Sequence, residues 1–346
     1  MVKLKNKIKI LSAIAENKLF GKKTPLRVVL KITKRCNLRC KHCLEYKFQE
    51  KELSFEKVKQ MLDRVAEAGA VHLSINGGEP LIREDIGKII KYAKKLGLGV
   101  GITSNGAFVP KKIKELKDID VLGLSLDGPK HIHDYLRGEG QFEQVIKAIK
   151  VARENKIKSV YINTVLTKEI CQKLDYIEEM INIARENKIN CNFVAMYGDV
   201  REGSVIEKPS EKELKRALIK IAKAKRDGAP ILYSQLTYDY ILNWPDFSRE
   251  KYYAGEKSNI KNPIKCLSGE LSVAIEANGD VFPCNMIKDE MKPLNIFKFK
   301  GSFSDLMKEL CRRNRCRFCY YGCYCEGSAL FGLKPKIIRE YLKKGI

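Results

Sequence analysis

Long apolar runs are missing from this 346-residue chain. No stretch approaches the roughly 18–20 consecutive apolar residues of a membrane-spanning helix. The opening residues, MVKLKNKIKILSAIAENKLF, lack the apolar core and small-residue cleavage site of a secretory signal. A cytoplasmic protein, with at most a peripheral contact to the inner membrane surface, is therefore expected. Negative charge is the minority sign, with 42 Asp and Glu against 66 Lys and Arg, a net +24. That surplus favours anionic partners, among them phosphates, nucleic acid, acidic peptides and anionic lipid headgroups, without choosing between them. Disulfides are not needed either, because a chain of this length buries a core without staples and suits about two domains. Its twelve cysteines then read as metal ligands or catalytic thiols. The Lys, Ile and Glu bias with little Gln would also suit a hot organism, whose intracellular proteins can carry disulfides, so the cysteine positions have to decide.

From Leu26 onward short β-branched runs alternate with amphipathic ones. Strands are expected at 26–33, 71–76, 98–104, 121–127, 159–167 and 191–197, with helices near 54–69, 83–96, 110–117, 141–155, 171–188 and 211–226. Ser54 is placed to cap the first of these helices and Gly69 to stop it. Six βα units with right-handed crossovers predict an α/β fold, a partial (β/α)6 TIM-like barrel. An open doubly wound sheet would want a GxGxxG fingerprint after the first strand, and none is present. The polar, glycine-rich pieces fall where strands end: 36–43, NGGEP, TSNG and SLDG. In a βα barrel that rim carries the active site.

The predicted division is an N-terminal basic helix (1–25), the barrel (26–227), an aromatic-rich irregular segment serving as linker or cavity wall (228–262), and a small Cys-rich auxiliary domain (263–346). Residues 3–20 align Leu4, Ile8, Leu11, Ala15 and Leu19 in one helical stripe, with Lys5, Lys9, Asn17 and Lys18 largely off it. Such a helix either closes the bottom of the barrel, the preferred reading, or lies on an anionic membrane surface.

The densest chemistry is KRCNLRCKHC. Cys36, Cys40 and Cys43 are spaced C-x3-C-x2-C. Structural zinc wants four ligands in two pairs, and His42 is poorly placed to be the fourth. An iron-sulfur cubane fits three thiolates in one loop and leaves one iron open. This spacing resembles the C-x3-C-x-Φ-C signature of the radical S-adenosylmethionine superfamily, with His42 in the usually aromatic position. NGGEP (76–80), SLDGP (125–129) and LRGEGQF (136–142) are similar to that family's later motifs, and the likeness runs over roughly residues 26–200.

The resemblance implies a 4Fe-4S cluster on Cys36, Cys40 and Cys43, whose open iron chelates S-adenosylmethionine. One electron, from a donor such as ferredoxin or flavodoxin, then cleaves the cofactor to methionine and a 5′-deoxyadenosyl radical. It assigns Gly77 and Gly78 to close backbone approach to the cofactor, Glu79 to its ammonium and Arg137 to its carboxylate. Ser125 and Asp127 are assigned to ribose hydroxyls, with Ser104 and Asn105 beside them.

Seven of the twelve cysteines fall in the last 81 residues. C266-x12-G279-x4-C284 resembles the opening of SPASM and twitch domains. Its internal logic is a β-hairpin turning at NGD, which brings Cys284 back beside Cys266. Cys316 and Cys319 complete four ligands for one auxiliary 4Fe-4S cluster, with Cys323 as substitute. The longer SPASM pattern would need a cysteine at Ala329, so Cys311, Cys323 and Cys325 would hold a second cluster only with a non-standard fourth ligand. Zinc is the alternative at this site. Cys171 and Cys191 read as buried apolar residues.

The expected function is hydrogen abstraction from a peptide or small anionic metabolite, with lipid in the same range. The competing readings are a basic zinc protein that binds nucleic acid and a plain iron-sulfur electron carrier. Tyr197, Asp199 and Tyr238 lie near the expected rim without an assignable role.

Overall fold

The computed structural model describes residues 4–48, 50–197 and 206–343, with side chains from residue 6 onward. Asp199, and the side chains of Leu4 and Lys5, lie outside the described residues. Six strands run in chain order across the sheet: β1 (Arg27–Lys31), β2 (His72–Asn76), β3 (Gly99–Ser104), β4 (Val121–Ser125), β5 (Val160–Leu166) and β6 (Asn190–Ala195). Every neighbouring pair among them is parallel. A doubly wound sheet reverses its order at a switch point; here there is no reversal, so right-handed crossovers put the helices on one face. The sheet curls away from that face into a partial barrel.

Residue alternation separates the two faces. Val28, Leu30, Leu73, Ile75, Val100, Ile102, Leu122 and Leu124 are buried in the apolar layer under the helices, with Val58, Leu62, Ile89 and Val145 from the helical side. The opposite, concave face carries Arg27, Lys31, Thr33, Ser74, Asn76, Thr103, Ser125 and Asn163 by the period of two. A polar concave face is suited to a ligand rather than to a packed core.

Helices form at 55–67, 86–95, 109–116, 141–154 and 211–226. Ser54 caps the first by accepting from the Lys57 N–H, and Gly69 follows it with φ +98°. The stretch expected as one helix over 171–188 is two, Lys168–Gln172 and Asp175–Glu186, because Lys173 is extended between them. The segment read as irregular over 228–262 contains a helix, Gln235–Leu242, capped by Ser234, and a strand, β7 (Lys251–Tyr253). Its aromatic residues hid the pattern: Tyr238, Tyr240, Ile241 and Trp244 are all core.

The largest departure concerns the C-terminal part. The expected hairpin forms as β8 (Ser272–Ile275) and β9 (Asp280–Phe282), antiparallel, and β10 (Leu294–Asn295) joins β9. Yet β8 also pairs in parallel with β1, from Arg27 opposite Ser272 to Leu30 opposite Ile275. The hairpin thus extends the barrel sheet to nine strands, in the order β10-β9-β8-β1-β2-β3-β4-β5-β6. A last strand, β11 (Cys316–Cys319), pairs antiparallel with β7.

The N-terminal helix spans Leu4–Phe20. It docks through Ile10, Ala13 and Ile14 onto Leu26, Val71 and Leu271, at the strand ends remote from the cysteine loop. The stripe expected to be its packing face points outward instead, with Ile8, Leu11, Ala15 and Leu19 exposed. The helix has two apolar faces, and the smaller one fits the groove between strand ends.

Candidate active site

The loop after β1 presents Cys36, Cys40 and Cys43. Its shape is set by the loop after β2. The Gly78 N–H donates to Thr33 O and the Glu79 N–H to Arg35 O, both at 2.8 Å. A Cβ on Gly77 would collide with the Thr33 carbonyl, and one on Gly78 with that of Arg35. The close approach expected of these glycines is therefore made to the cysteine loop's own backbone.

Glu79 is fully buried and ties three loops together. Its Oε1 accepts from the Leu81 N–H at 3.0 Å and the Ser104 hydroxyl at 2.9 Å, and its Oε2 from the Asn105 N–H at 2.7 Å. Burial raises its carboxyl above the usual range, and these donors oppose the rise. Asn105 in turn holds Asn37 Oδ1 at 2.9 Å and reaches within 3.9 Å of the Cys36 sulfur. Ser104 and Asn105 are thus brought to the cysteine loop through Glu79. Asn37, which the sequence reading passed over, has no signal beyond its place inside the C-x3-C spacing.

On the other side of the loop Arg137 Nε donates to Asp127 Oδ2 at 2.6 Å, and its Nη1 is 3.9 Å from the Cys40 sulfur. Asp127 is fully buried; Oδ1 accepts from the Val165 N–H at 2.9 Å, and His42 Nε2 is 3.5 Å from Oδ2. Asp127, expected at a ribose hydroxyl, and Arg137, expected at a carboxylate, here face each other. Each is the other's partner, because a carboxylate in this interior needs a counter-charge. His133, also missed, accepts from the Asp127 N–H at 3.0 Å. Ser125 ends β4 on the concave face, in register with Asn163, and takes no part in these contacts. His42 Nδ1 is buried without a partner.

The loop fits a cluster by the chemistry of its donors. Leu38 N–H at 3.4 Å, Asn105 and Arg137 point polar hydrogens at the sulfurs, as suits thiolates. Burial pushes the Cys40 thiol up to about 11 against the pull of Arg137, so metal loading releases protons. Among the described residues no group of three His, Cys, Asp or Glu side chains is placed to hold a metal ion as they stand.

In the C-terminal part the Cys266 N–H donates to Arg317 O at 2.9 Å, fastening it beside β11. Cys284, Cys316, Cys319 and Cys323 share one buried group with Tyr321 and Tyr324. Burial raises the Cys266 thiol to about 11 and that of Cys323 to about 12. Cys325 donates to Cys319 O at 3.1 Å from the adjoining helix Gly322–Phe331. The Cys311 thiol donates to Gly269 O at 3.0 Å. Lys31, Lys34 and Lys288 link the two cysteine regions through Glu45 and Glu276, at 2.7–3.5 Å. Cys171 and Cys191 are buried in the core as expected.

Residues 30–184 match the Radical SAM superfamily. GTP 3′,8-cyclase of Limosilactobacillus fermentum is 34% identical over 178 residues, which is 48% of this chain and 53% of that protein. Mycofactocin maturase MftC of Mycolicibacterium smegmatis is 26% identical over 327 residues, covering 90% of this chain and 79% of the maturase. This chain spans about half the length of the curated relatives it matches first. Among solved structures, Streptococcus suis SuiB bound to S-adenosylmethionine superposes with a TM-score of 0.66 at 22% identity, covering 86% of this chain and 68% of SuiB, a likeness of fold. The cysteine loop thus follows the first strand of a partial barrel, and residues 30–184, from that strand through the helix Asp175–Glu186, match the Radical SAM superfamily.

Proposed function

We propose that this protein is a radical S-adenosylmethionine enzyme that abstracts hydrogen from a peptide. The observation that carries the chemistry is the three-thiol loop braced by Gly77, Gly78 and Glu79 on one side and by Arg137 on the other. Cys36, Cys40 and Cys43 would hold a 4Fe-4S cluster, and Cys266, Cys284, Cys316 and Cys319 an auxiliary one, with Cys323 beside them. When bound, the first cluster and S-adenosylmethionine supply a 5′-deoxyadenosyl radical by one-electron cleavage of the sulfonium bond. This chain's residues do the positioning: Asn105 and Arg137 offer hydrogens to the cysteine sulfurs, and Glu79 fixes the loop that carries Asn105. Ser125 and Asn163 face the concave space where substrate would lie.

A peptide substrate is supported by relatives named for peptide work: the antilisterial bacteriocin subtilosin biosynthesis protein AlbA of Bacillus subtilis, the mycofactocin maturase, and SuiB, solved with its precursor peptide SuiA. The basic surface suits an acidic reductant such as ferredoxin or flavodoxin. The test is anaerobic reconstitution with iron and sulfide, then low-temperature EPR with and without S-adenosylmethionine and assay of 5′-deoxyadenosine. The expected result is a cubane signal that shifts with the cofactor, with 5′-deoxyadenosine formed. Triple Cys→Ala at Cys36, Cys40 and Cys43 abolishes both and leaves the auxiliary signal. Zinc in place of iron, or turnover in the triple variant, overturns the assignment.

The N-terminal helix supports a peripheral membrane contact. Ile8, Leu11 and Leu19, on the face turned away from the docked one, are 61, 59 and 73% exposed, and Phe20 at the end of the helix is 80% exposed. Helical positions 7 and 18 flank the stripe on one side and position 9 on the other, all exposed lysines. A second copy of the chain would oppose lysine with lysine; an anionic bilayer takes both the stripe and its flanks. No helix among the described residues is long and apolar enough to cross a membrane.

A further inference from the structure

Arg27 is the first residue of β1 and faces the concave side of the sheet, two steps below Val29 and four below Lys31. Among the described residues it has no carboxylate within ion-pair distance. The guanidinium's hydrogen bond, from Nη1 to the Cys323 carbonyl, is long at 3.4 Å. Its electrostatic neighbours are the Cys323 thiol and three tyrosines, Tyr324, Tyr233 and Tyr161, and Tyr321 adjoins the same space. Burial holds these four tyrosines protonated, so each hydroxyl can donate. His72, also near Arg27, is kept neutral by burial and by that cation, its pKa lowered to about 4. Among the described residues the inner wall here therefore holds one guanidinium and several tyrosine hydroxyls, with no carboxylate beside them.

The space is built rather than accidental. Tyr161 lies over Gly123, where a Cβ would strike its ring, and Gly327 of the helix Gly322–Phe331 comes close to Arg27 Nη1. Arg27, Tyr161, Tyr233, Tyr321 and Cys323 are each half-buried, although they face the inside of the sheet; they line space and do not fill it. An interior cation without a counter-charge is costly, while an arginine fork with flanking donors is suited to an oxyanion.

We infer that Arg27, with Tyr161, Tyr233 and Tyr321, forms the subsite that receives an oxyanion of the substrate, a carboxylate or a phosphate ester. The inference rests on the concave face being the substrate chamber, and it adds what the chamber recognises. The substrate enters with its negative group toward the start of β1, leaving the rest of its length to extend along the polar face toward the cysteine loop.

The test uses the reconstituted 346-residue chain without S-adenosylmethionine, so that its outcome is separate from the cluster chemistry read by EPR. Benzoate and phenyl phosphate are the charged probes and benzamide the neutral one, followed by thermal melting and calorimetric titration. Either anion is expected to raise the melting temperature and to give saturable heat, with benzamide silent; the larger effect identifies carboxylate or phosphate as the preferred group. Arg27→Met is expected to lose the response. Arg27→Lys, which keeps the charge without the fork, is expected to weaken it and serves if the methionine variant does not fold. Equal responses to benzoate and benzamide, or a full response in Arg27→Met, overturn the inference. So does loss of the auxiliary EPR signal in Arg27→Met with the wild type indifferent to both anions, because Arg27 would then be the counter-charge of a Cys323 thiolate.

Discussion

Gly78 shows how one atom controls the candidate site. Its N–H and that of Glu79 hold the Thr33 and Arg35 carbonyls, and an added methyl would strike the carbonyls of Lys34 and Arg35. Gly78→Ala is expected to displace the cysteine loop and lose the first cluster, while the auxiliary cluster is retained; iron content and EPR check this. Asp127 acts through charge. Burial by itself would raise its carboxyl, yet Arg137, His42 and His133 hold it at about 2, below the roughly 3.9 of an unfolded chain. A depressed carboxyl stabilises the fold above the unfolded value and loses that contribution as pH falls through the folded one. Asp127→Asn is therefore expected to cost about 3–5 kcal/mol at neutral pH by orphaning Arg137. It should also flatten the acid limb between about pH 4 and 2, read by urea unfolding across that range. Neither role was legible in sequence: the motifs NGGEP and SLDGP marked both residues, but their partners lie across the sheet.

At the scale of elements, the strands were the legible part, because β-branched runs broken by glycine and asparagine leave little choice. The helix Gln235–Leu242 was not, since five of its eight residues are apolar or aromatic and it is buried from several sides, which erases the one-sided period. The N-terminal helix carries two apolar faces, and only contact with Leu26, Val71 and Leu271 selects the inner one. Replacing Leu11 and Leu19 by Gln is expected to change stability by less than about 0.5 kcal/mol, as exposed positions do. The same change should abolish co-sedimentation with phosphatidylglycerol vesicles, while phosphatidylcholine vesicles bind neither form. Binding that persists in the double variant would point to the lysines alone.

For the whole molecule, the sheet makes the auxiliary region part of the barrel. β8 satisfies the free edge of β1, and Lys31, Lys34 and Glu276 join the same two parts by charge. A chain ending at residue 262 would expose the β1 edge and strand Lys31 beside an apolar border. It is expected to aggregate, and the 346-residue chain to melt in one transition, by size-exclusion chromatography and calorimetry. Two well-separated melting steps would instead restore an independent C-terminal module.

Local chemistry is what the sequence determined by itself. The cysteine spacings, the strand and turn residues and the order of βα units each follow from neighbours a few positions apart, and they sufficed for the fold class and for the cysteine loop. Tertiary structure alone decided which groups face one another. Asp127 met Arg137, Cys311 met the Gly269 carbonyl, β8 joined β1, and Arg27 met no carboxylate among the described residues. Each outcome is a pairing between residues distant in sequence, fixed by strand register and the direction of side chains across a curved sheet, and local spacing carries no record of it.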